Sequence, residues 1–486
     1  MNYADLLGGG GNVRVHSPLS LSGICLAHIA DILLLTLGLF AVLAPLSRTR
    51  LYPLVRLLLA ILIPPYLIER TRPLFGFALP DGIVPILTIL WAALLLLFLL
   101  RFPSWHSRIM VFASAMGAAF ALFALFNIAQ LLWVTRWKPG PQQYSATWAL
   151  TLQPPRQHPL LVWIIFDELS YDQVFAHRAR DLQLPGFDAL RSQSTLFSNV
   201  RPVAYKTAKV VPSLLTGHIV DDARYDSESR LMLHYTGTRG WHLQSGNETL
   251  FADAQKNGWR TAVVGWYNPY CTVYTSAIDN CYWSNWDTLD GPMAARYGFW
   301  HNMLSPLRQL GLRTLSPAKA DRDFCTYDVQ QHYQSHIDIE QHAFQLLRTD
   351  QADFIFLHLA IPHSPNIWSR INDDYTQSCD SSYLDNLALA DREMSRILTT
   401  LQASARWKNT TLIIEGDHSW RVKLWNSLPA WTEEDDAASH EVFDPRPALL
   451  IHQAGQTQPQ TNATAWPLIQ LHDVIGQMLH SNPTHD

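Results

Sequence analysis

Residues 409–420 read NTTLIIEGDHSW. Thr410 to Ile414 form a short run of β-branched and apolar residues without polar alternation, the pattern of a strand buried on both faces of a parallel sheet. The run ends at Glu415 and Gly416, and Asp417 and His418 then stand side by side. Similar runs occur at 160–166 (LLVWIIF), 261–266 (TAVVGW), 353–361 (DFIFLHLAI) and 447–453 (PALLIHQ). Between the runs at 353–361 and 410–416, residues 383–403 keep apolar side chains at the three-and-four spacing of an amphipathic helix. Strands alternating with helices predict an α/β domain with a mostly parallel central sheet and flanking helices. Ligands of such sheets gather beyond the carboxyl ends of the strands, so the residues just after each run are the candidates for chemistry.

Two acidic pairs occupy that position. Asp167 and Glu168 follow the run 160–166, and Asp417 and His418 follow 410–416. If the two strands are neighbours, carboxylates and an imidazole converge. Unpaired, those carboxylates would repel one another; a divalent cation removes the repulsion, and the oxygen and nitrogen donors suit zinc or manganese, zinc ahead. The plainer alternative is that both acids cap helices. A nucleophile is sought in NVRPVAYKTAKVVPSLLTG, 199–217, where Thr207 stands between Lys206 and Lys209 at the start of a helix-like segment. A hydroxyl or a bound anion there would gain from the helix N-terminus, although threonine at a helix start is commonly only a cap. In HLAIPHSP, His358 reads as a packed strand residue, whereas His363, between Pro362 and Pro365, is placed to act on a phosphoryl oxygen or leaving group. His440 is a ligand, a proton donor or a surface residue.

The amino-terminal part differs in kind. Apolar runs at 28–46, 51–68, 82–100 and 109–135 predict about four membrane spans, the last two without charge, in a helical bundle over 1–138. Asp31 and Arg56 lie near the ends of the first two, where snorkelling or a position facing the bundle can accommodate them. A Pro-rich and polar linker, 139–158, precedes the soluble domain, 159–486. The chain has a net charge of −5 and no basic stripe, which argues against a nucleic-acid partner. Four of its five cysteines lie in the soluble part. The short loop CTVYTSAIDNC favours a Cys271–Cys281 bridge and an oxidising compartment.

Taken in order, WIIFDELSYD, LPGFDALRSQSTLFSNV, YKTAKVVPSLLTG, PHSP, EGDHSW and PALLIHQAGQ resemble the alkaline-phosphatase/sulfatase superfamily over roughly 158–480. The likeness is greatest to its membrane-anchored members that transfer phosphoethanolamine or phosphoglycerol. The resemblance implies metal ligands at Asp167, Asp417 and His418, with Glu168 a possible second acidic ligand. It implies Thr207 as nucleophile and ligand, five residues before Pro212 as in those transferases. Lys206 and Lys209 would stabilise the phosphoryl oxygens, and His363 and His440 would face them. It further implies a phospholipid donor, an envelope glycan or lipid acceptor, and a multi-pass protein of a bacterial-type inner membrane with its catalytic domain outside the cytoplasm. Ester hydrolysis and a catalytically inactive membrane protein are the alternatives. Two departures stand out. No cysteine or serine lies in the Cys/Ser-x-Pro-x-Arg context of sulfatases, and GDHSWR lacks the glycine that usually follows Asp-His.

Overall fold

The first strand of the sheet, β1 (Leu160–Phe166), is buried at all seven positions. That explains its lack of polar alternation: both of its faces are covered. The computed structural model describes residues 21–55, 83–102, 158–225, 231–284 and 317–480 except 427, 429 and 440–442, with scattered positions within 57–133 and 298–304. In the soluble unit the other strands of the main sheet are β2 (Thr195–Phe197), β3 (Thr261–Gly265), β4 (Asn280–Trp283), β5 (Phe354–Leu359), β6 (Thr410–Gly416), β7 (Leu449–His452) and β8 (Gln460–Asn462). Their spatial order is β8-β2-β7-β6-β1-β5-β3-β4. The sheet is parallel from β6 through β4, and β7 runs antiparallel to both β6 and β2.

Two apolar layers sandwich it. Leu160, Val162, Ile164 and Phe166 pack toward Leu384, Leu387 and Leu398 of the helix Tyr383–Gln402, with Ile339 and Phe344 of Pro317–Leu347 in the same layer. Leu161, Trp163 and Ile165 face the other way, toward Val210, Val211 and Leu214 of Thr207–Thr216, and toward Leu471 and Ile475 of Gln470–His480. Alternate residues of one strand thus feed two cores. Disulfides join Cys271 to Cys281, as expected from the short loop, and Cys325 to Cys379.

The register decides where chemistry can occur. Along β1 and β6 the pairs run from Leu160 with Thr410 to Phe166 with Gly416. Asp167 and Asp417 therefore leave the sheet side by side, although 250 residues separate them in the chain.

Packing also ties down the segment 184–200. Asp391 accepts hydrogen bonds from the backbone N–H groups of Gly186 (3.0 Å) and Phe187 (2.8 Å), at the start of the helix Pro185–Arg191. Burial pushes its carboxyl up to about 6 against those two donors, which pull it down. Protonation of this group hence favours the folded state. Its contribution is complete below about pH 4 and is lost as pH rises through 6, on the order of 3 kcal/mol. Asp391→Asn is expected to flatten the urea midpoint between pH 4 and 6, measured by circular dichroism.

The amino-terminal unit holds the helices Leu21–Leu46 and Ile83–Arg101. Their large apolar side chains face outward, with Leu37 at 65%, Phe40 at 68% and Ile89 at 69% exposure. Water would oppose such surfaces and lipid accepts them. Among the described residues one helical segment, Cys25–Leu46, is long and apolar enough to cross a membrane. The structure does not bear out four spans: the expected runs 51–68 and 109–135 lie largely outside the described residues, as does the linker 139–158 apart from His158.

Candidate active site

Side chains from three separated segments meet beyond the ends of β1 and β6. Asp167, Asp417 and His418 are buried, and each offers one ligand atom within 4.8 Å of the others. His418 Nε2 lies 3.2 Å from Asp417 Oδ2 and 4.0 Å from Asp167 Oδ1. Its Nδ1 faces the Ser419 carbonyl at 3.1 Å. A proton on Nδ1 satisfies that carbonyl and leaves the Nε2 lone pair turned inward, as a metal-binding imidazole requires.

Thr207 is the first residue of the helix Thr207–Thr216, with Lys206 as an extended N-cap. Its Oγ1 donates to Asp167 Oδ2 at 3.3 Å and sits 3.4 Å from His418 Nε2. The helix N-terminus adds partial positive charge at the same point. One hydroxyl, two carboxylates and one imidazole are thus gathered from residues far apart in the chain.

The site carries an excess of buried negative charge. Burial and the neighbouring Asp417 push the Asp167 carboxyl well above its ordinary range, with a smaller push from Glu168. Burial acts on Asp417 too, but His418, His358 and the Glu168 N–H, which donates to Asp417 Oδ1 at 3.0 Å, outweigh it and hold Asp417 below the usual carboxylate range. Asp167 Oδ1, Asp417 Oδ2 and His358 Nε2 are buried without a hydrogen-bond partner. Such groups are seldom left orphaned, and lone pairs converging from oxygen and nitrogen donors fit a divalent cation.

Other expected residues fall into different places. Glu168 does not join the three-residue group. Its φ of 66° lies in the left-handed region, disfavoured by about 1–2 kcal/mol for a side chain. Its carboxylate turns to Arg421 Nε and to Trp425 Nε1, 2.8 Å from Oε2. Lys209 gives its ammonium to the Asp221 carbonyl, and Lys206 is exposed. His363 is buried between the edges of Trp266 and Trp425, with Nδ1 on the Ser364 carbonyl and Nε2 2.8 Å from Arg421 Nη2. Burial, then Arg421, push its pKa well below the usual imidazole range. His440 lies outside the described residues.

Sequence reading missed two participants. His358 does pack within β5, yet its Nε2 is 3.5 Å from Asp167 Oδ2 and its Nδ1 2.7 Å from the Tyr270 hydroxyl. Burial pushes it down to about 4, so it is neutral and offers a lone pair or an N–H. Arg421 places its guanidinium between Glu168 and His363; its sequence signal was a basic residue three places after His418.

Gly416 keeps the two strand ends together. A Cβ there would lie 2.3 Å from the Leu169 carbonyl oxygen, a backbone atom. Gly416→Ala is expected to force Asp167 and Asp417 apart, lowering zinc affinity at least about tenfold and stability by about 1–3 kcal/mol. Competition with a chromogenic chelator and denaturant melts read the two effects.

The Sulfatase family model matches residues 159–480. A search of curated proteins returns no match. Solved structures that the chain is similar to include a phosphonate monoester hydrolase of Agrobacterium radiobacter, with 13% identity, 66% of this chain and 73% of that one covered, and a TM-score of 0.42. A lipoteichoic acid synthase from Listeria monocytogenes has 13% identity, coverages of 68% and 73%, and a TM-score of 0.39. A sulfatase from Pseudoalteromonas sp. has 12% identity, coverages of 67% and 68%, and a TM-score of 0.40. The family match spans about two thirds of the sequence and includes both strand ends and the Thr207 helix, and the chain belongs to the Sulfatase family.

Proposed function

We propose that this protein transfers a phospholipid head group, of the phosphoethanolamine or phosphoglycerol type, to an envelope glycan or lipid through a phosphothreonine at Thr207. The observation that carries this reading is the Thr207 hydroxyl, 3.3 Å from Asp167 and 3.4 Å from His418 at a helix N-terminus. Asp167, Asp417, His418 and Thr207 would hold the divalent ion, with zinc preferred to manganese for this donor set. That ion supplies Lewis acidity, which lowers the pKa of a hydroxyl and offsets phosphoryl charge.

The chain's own groups account for the rest. Asp167 Oδ2, 3.3 Å from the Thr207 hydroxyl, accepts its proton. Thr207 Oγ1 forms the new bond to phosphorus as the bond from phosphorus to the diacylglycerol oxygen breaks, and the proton taken up by Asp167 passes to that oxygen, which leaves Asp167 free for the second displacement. An acceptor hydroxyl then displaces Thr207 and returns a proton to it through Asp167. Arg421 replaces Lys206 and Lys209 as the nearby positive charge, and His363 positions Arg421. A proton-donor role for His440 remains part of the proposal. A membrane anchor fits a lipid donor, and two disulfides in the catalytic unit favour an extracytoplasmic site.

The test incubates the detergent-purified full chain with phospholipids labelled in the head group, followed by acid quench and peptide mass spectrometry. A labelled phosphoryl adduct on Thr207, with release of diacylglycerol, is expected. Release of the labelled head group to water with equal speed whether acceptor is present or not would make the enzyme a hydrolase.

A further inference from the structure

We infer that a polar cleft at the far end of the Thr207 helix is a second ligand site, built to hold a neutral saccharide. Binding there is independent of the reaction proposed at Thr207. The cleft encloses about 560 Å³, within the range of small-molecule sites. The helix Thr207–Thr216 has ten residues, so at a rise of about 1.5 Å per residue roughly 15 Å separates the cleft from the nucleophile. One wall comes from a small antiparallel sheet, Val220–Tyr225, Leu231–Tyr235 and His242–Leu243. Leu231, Leu233 and Tyr235 alternate inward and pack with Val220 and Ala223. The Tyr235 hydroxyl donates to Gln244 Oε1 at 3.2 Å. Its ring stands next to those of His218, at 5.4 Å, and His242, at 5.1 Å. His472 of the closing helix and the side chains of Asn247, Glu248 and Asp253 face the same space.

The chemistry of the lining selects the ligand. Hydroxyl, amide, imidazole and carboxylate groups dominate it, and Ile219 is its one aliphatic side chain, which disfavours a lipid tail. Glu248 and Asp253 oppose an anion, and the Lys256 ammonium is committed to Asp253 at 3.2 Å. The imidazoles and carboxylates are not drawn together as a metal requires. Among the described residues, the groups whose ligand atoms lie within 4.8 Å of one another are elsewhere, at Asp167, Asp417 and His418 and at His336, Glu340 and Glu393. A neutral polyol fits each of these features. Its hydroxyls donate to carboxylates and accept from imidazole and amide N–H groups, and bonds to an ionised acceptor are the stronger kind. Its C–H faces pack on aromatic rings. Among the described residues the Asn247 side-chain amide and the Glu248 carboxylate make no hydrogen bond or ion pair within the protein, so a ligand displaces water from them and breaks no internal contact. A glycan polymer held in the cleft would be kept at high effective concentration near the metal centre.

The experiment titrates the full-length protein, in a detergent without a sugar head group, with neutral trisaccharides of glucose, galactose, mannose and N-acetylglucosamine, read by isothermal calorimetry. At least one is expected to bind with a dissociation constant below about 1 mM. Glu248→Ala is expected to weaken that binding at least about tenfold, through loss of a charged hydrogen-bond acceptor. His242→Ala is expected to weaken it at least about threefold, through loss of a ring contact. Thr207→Ala is expected to leave it unchanged. No binding by any of the four, a smaller effect in either cleft variant, or weakened binding in Thr207→Ala overturns the inference. None of these outcomes bears on the phosphothreonine scheme, which is read by its own adduct. Both cleft side chains are exposed, and circular dichroism checks that the variants fold. If either unfolds, hydrogen exchange on wild type with bound trisaccharide decides: protection over 231–248 supports the inference, and its absence there overturns it.

Discussion

Thr207→Ala is expected to abolish the proposed head-group transfer, with turnover falling on the order of 10⁴- to 10⁶-fold, the scale on which an enzyme loses a covalent nucleophile. The variant is expected still to fold. The variant loses one hydroxyl hydrogen bond to Asp167 Oδ2, a loss of about 1 kcal/mol, while the methyl that packs at the helix start becomes the alanine side chain. Thr207→Ser separates the roles. It keeps the hydroxyl and removes the branch that restricts the χ1 angle, so an adduct still forms and the rate falls by about 10- to 100-fold through poorer orientation. Acid-quenched peptide maps and diacylglycerol release check both. An unchanged rate in Thr207→Ala would end the phosphothreonine scheme.

Asp167→Asn is expected to make the metal-free protein more stable and the loaded protein less so. Asp167 is held fully buried beside Asp417 and its carboxyl is pushed well above its ordinary range, so its charged form opposes folding at neutral pH. Asparagine still accepts from the Thr207 hydroxyl but removes the repulsion, adding about 1–3 kcal/mol to metal-free stability. Wild type recovers more than this when the ion binds: at a thousandfold excess over the dissociation constant, a ligand specific to the native state adds about 4 kcal/mol. Asp167→Asn loses that gain. Thermal melts with zinc and with a chelator should cross over: wild type below the variant in chelator, above it in zinc. Parallel shifts in both conditions would show that Asp167 does not hold the ion. Such a trade of stability for function is common at active sites.

Several parts of this arrangement were legible in the chain. The buried strands at 160–166 and 410–416 were visible because a strand covered on both faces has no polar positions to interrupt it. The acids just beyond them were conspicuous because ligands of such sheets gather past the carboxyl ends of the strands. Thr207 was marked by its place at the start of the helix and by the pattern leading to Pro212. Glu168 and Lys209 turn to other partners, and Lys206 is exposed, for reasons the sequence does not carry. Adjacent residues in a sequence look equivalent, yet the left-handed φ at Glu168 sends its carboxylate away from that of Asp167. Side-chain reach carries the Lys209 ammonium to the Asp221 carbonyl. Neither backbone angle nor reach is written in residue type.

By itself, the order of residues determined the kind of sheet, the apolar character of the amino-terminal helices and which side chains were chemically able to bind a cation. These depend on local periodicity and on functional groups, both of which travel with each residue. Only the tertiary structure decided that Phe166 pairs with Gly416, that His358 turns its ring toward Asp167, and that Arg421 lies between Glu168 and His363. Those juxtapositions join positions tens to hundreds of residues apart. They are set by strand register and by packing against two cores, where a shift of one residue would turn each side chain to the opposite face.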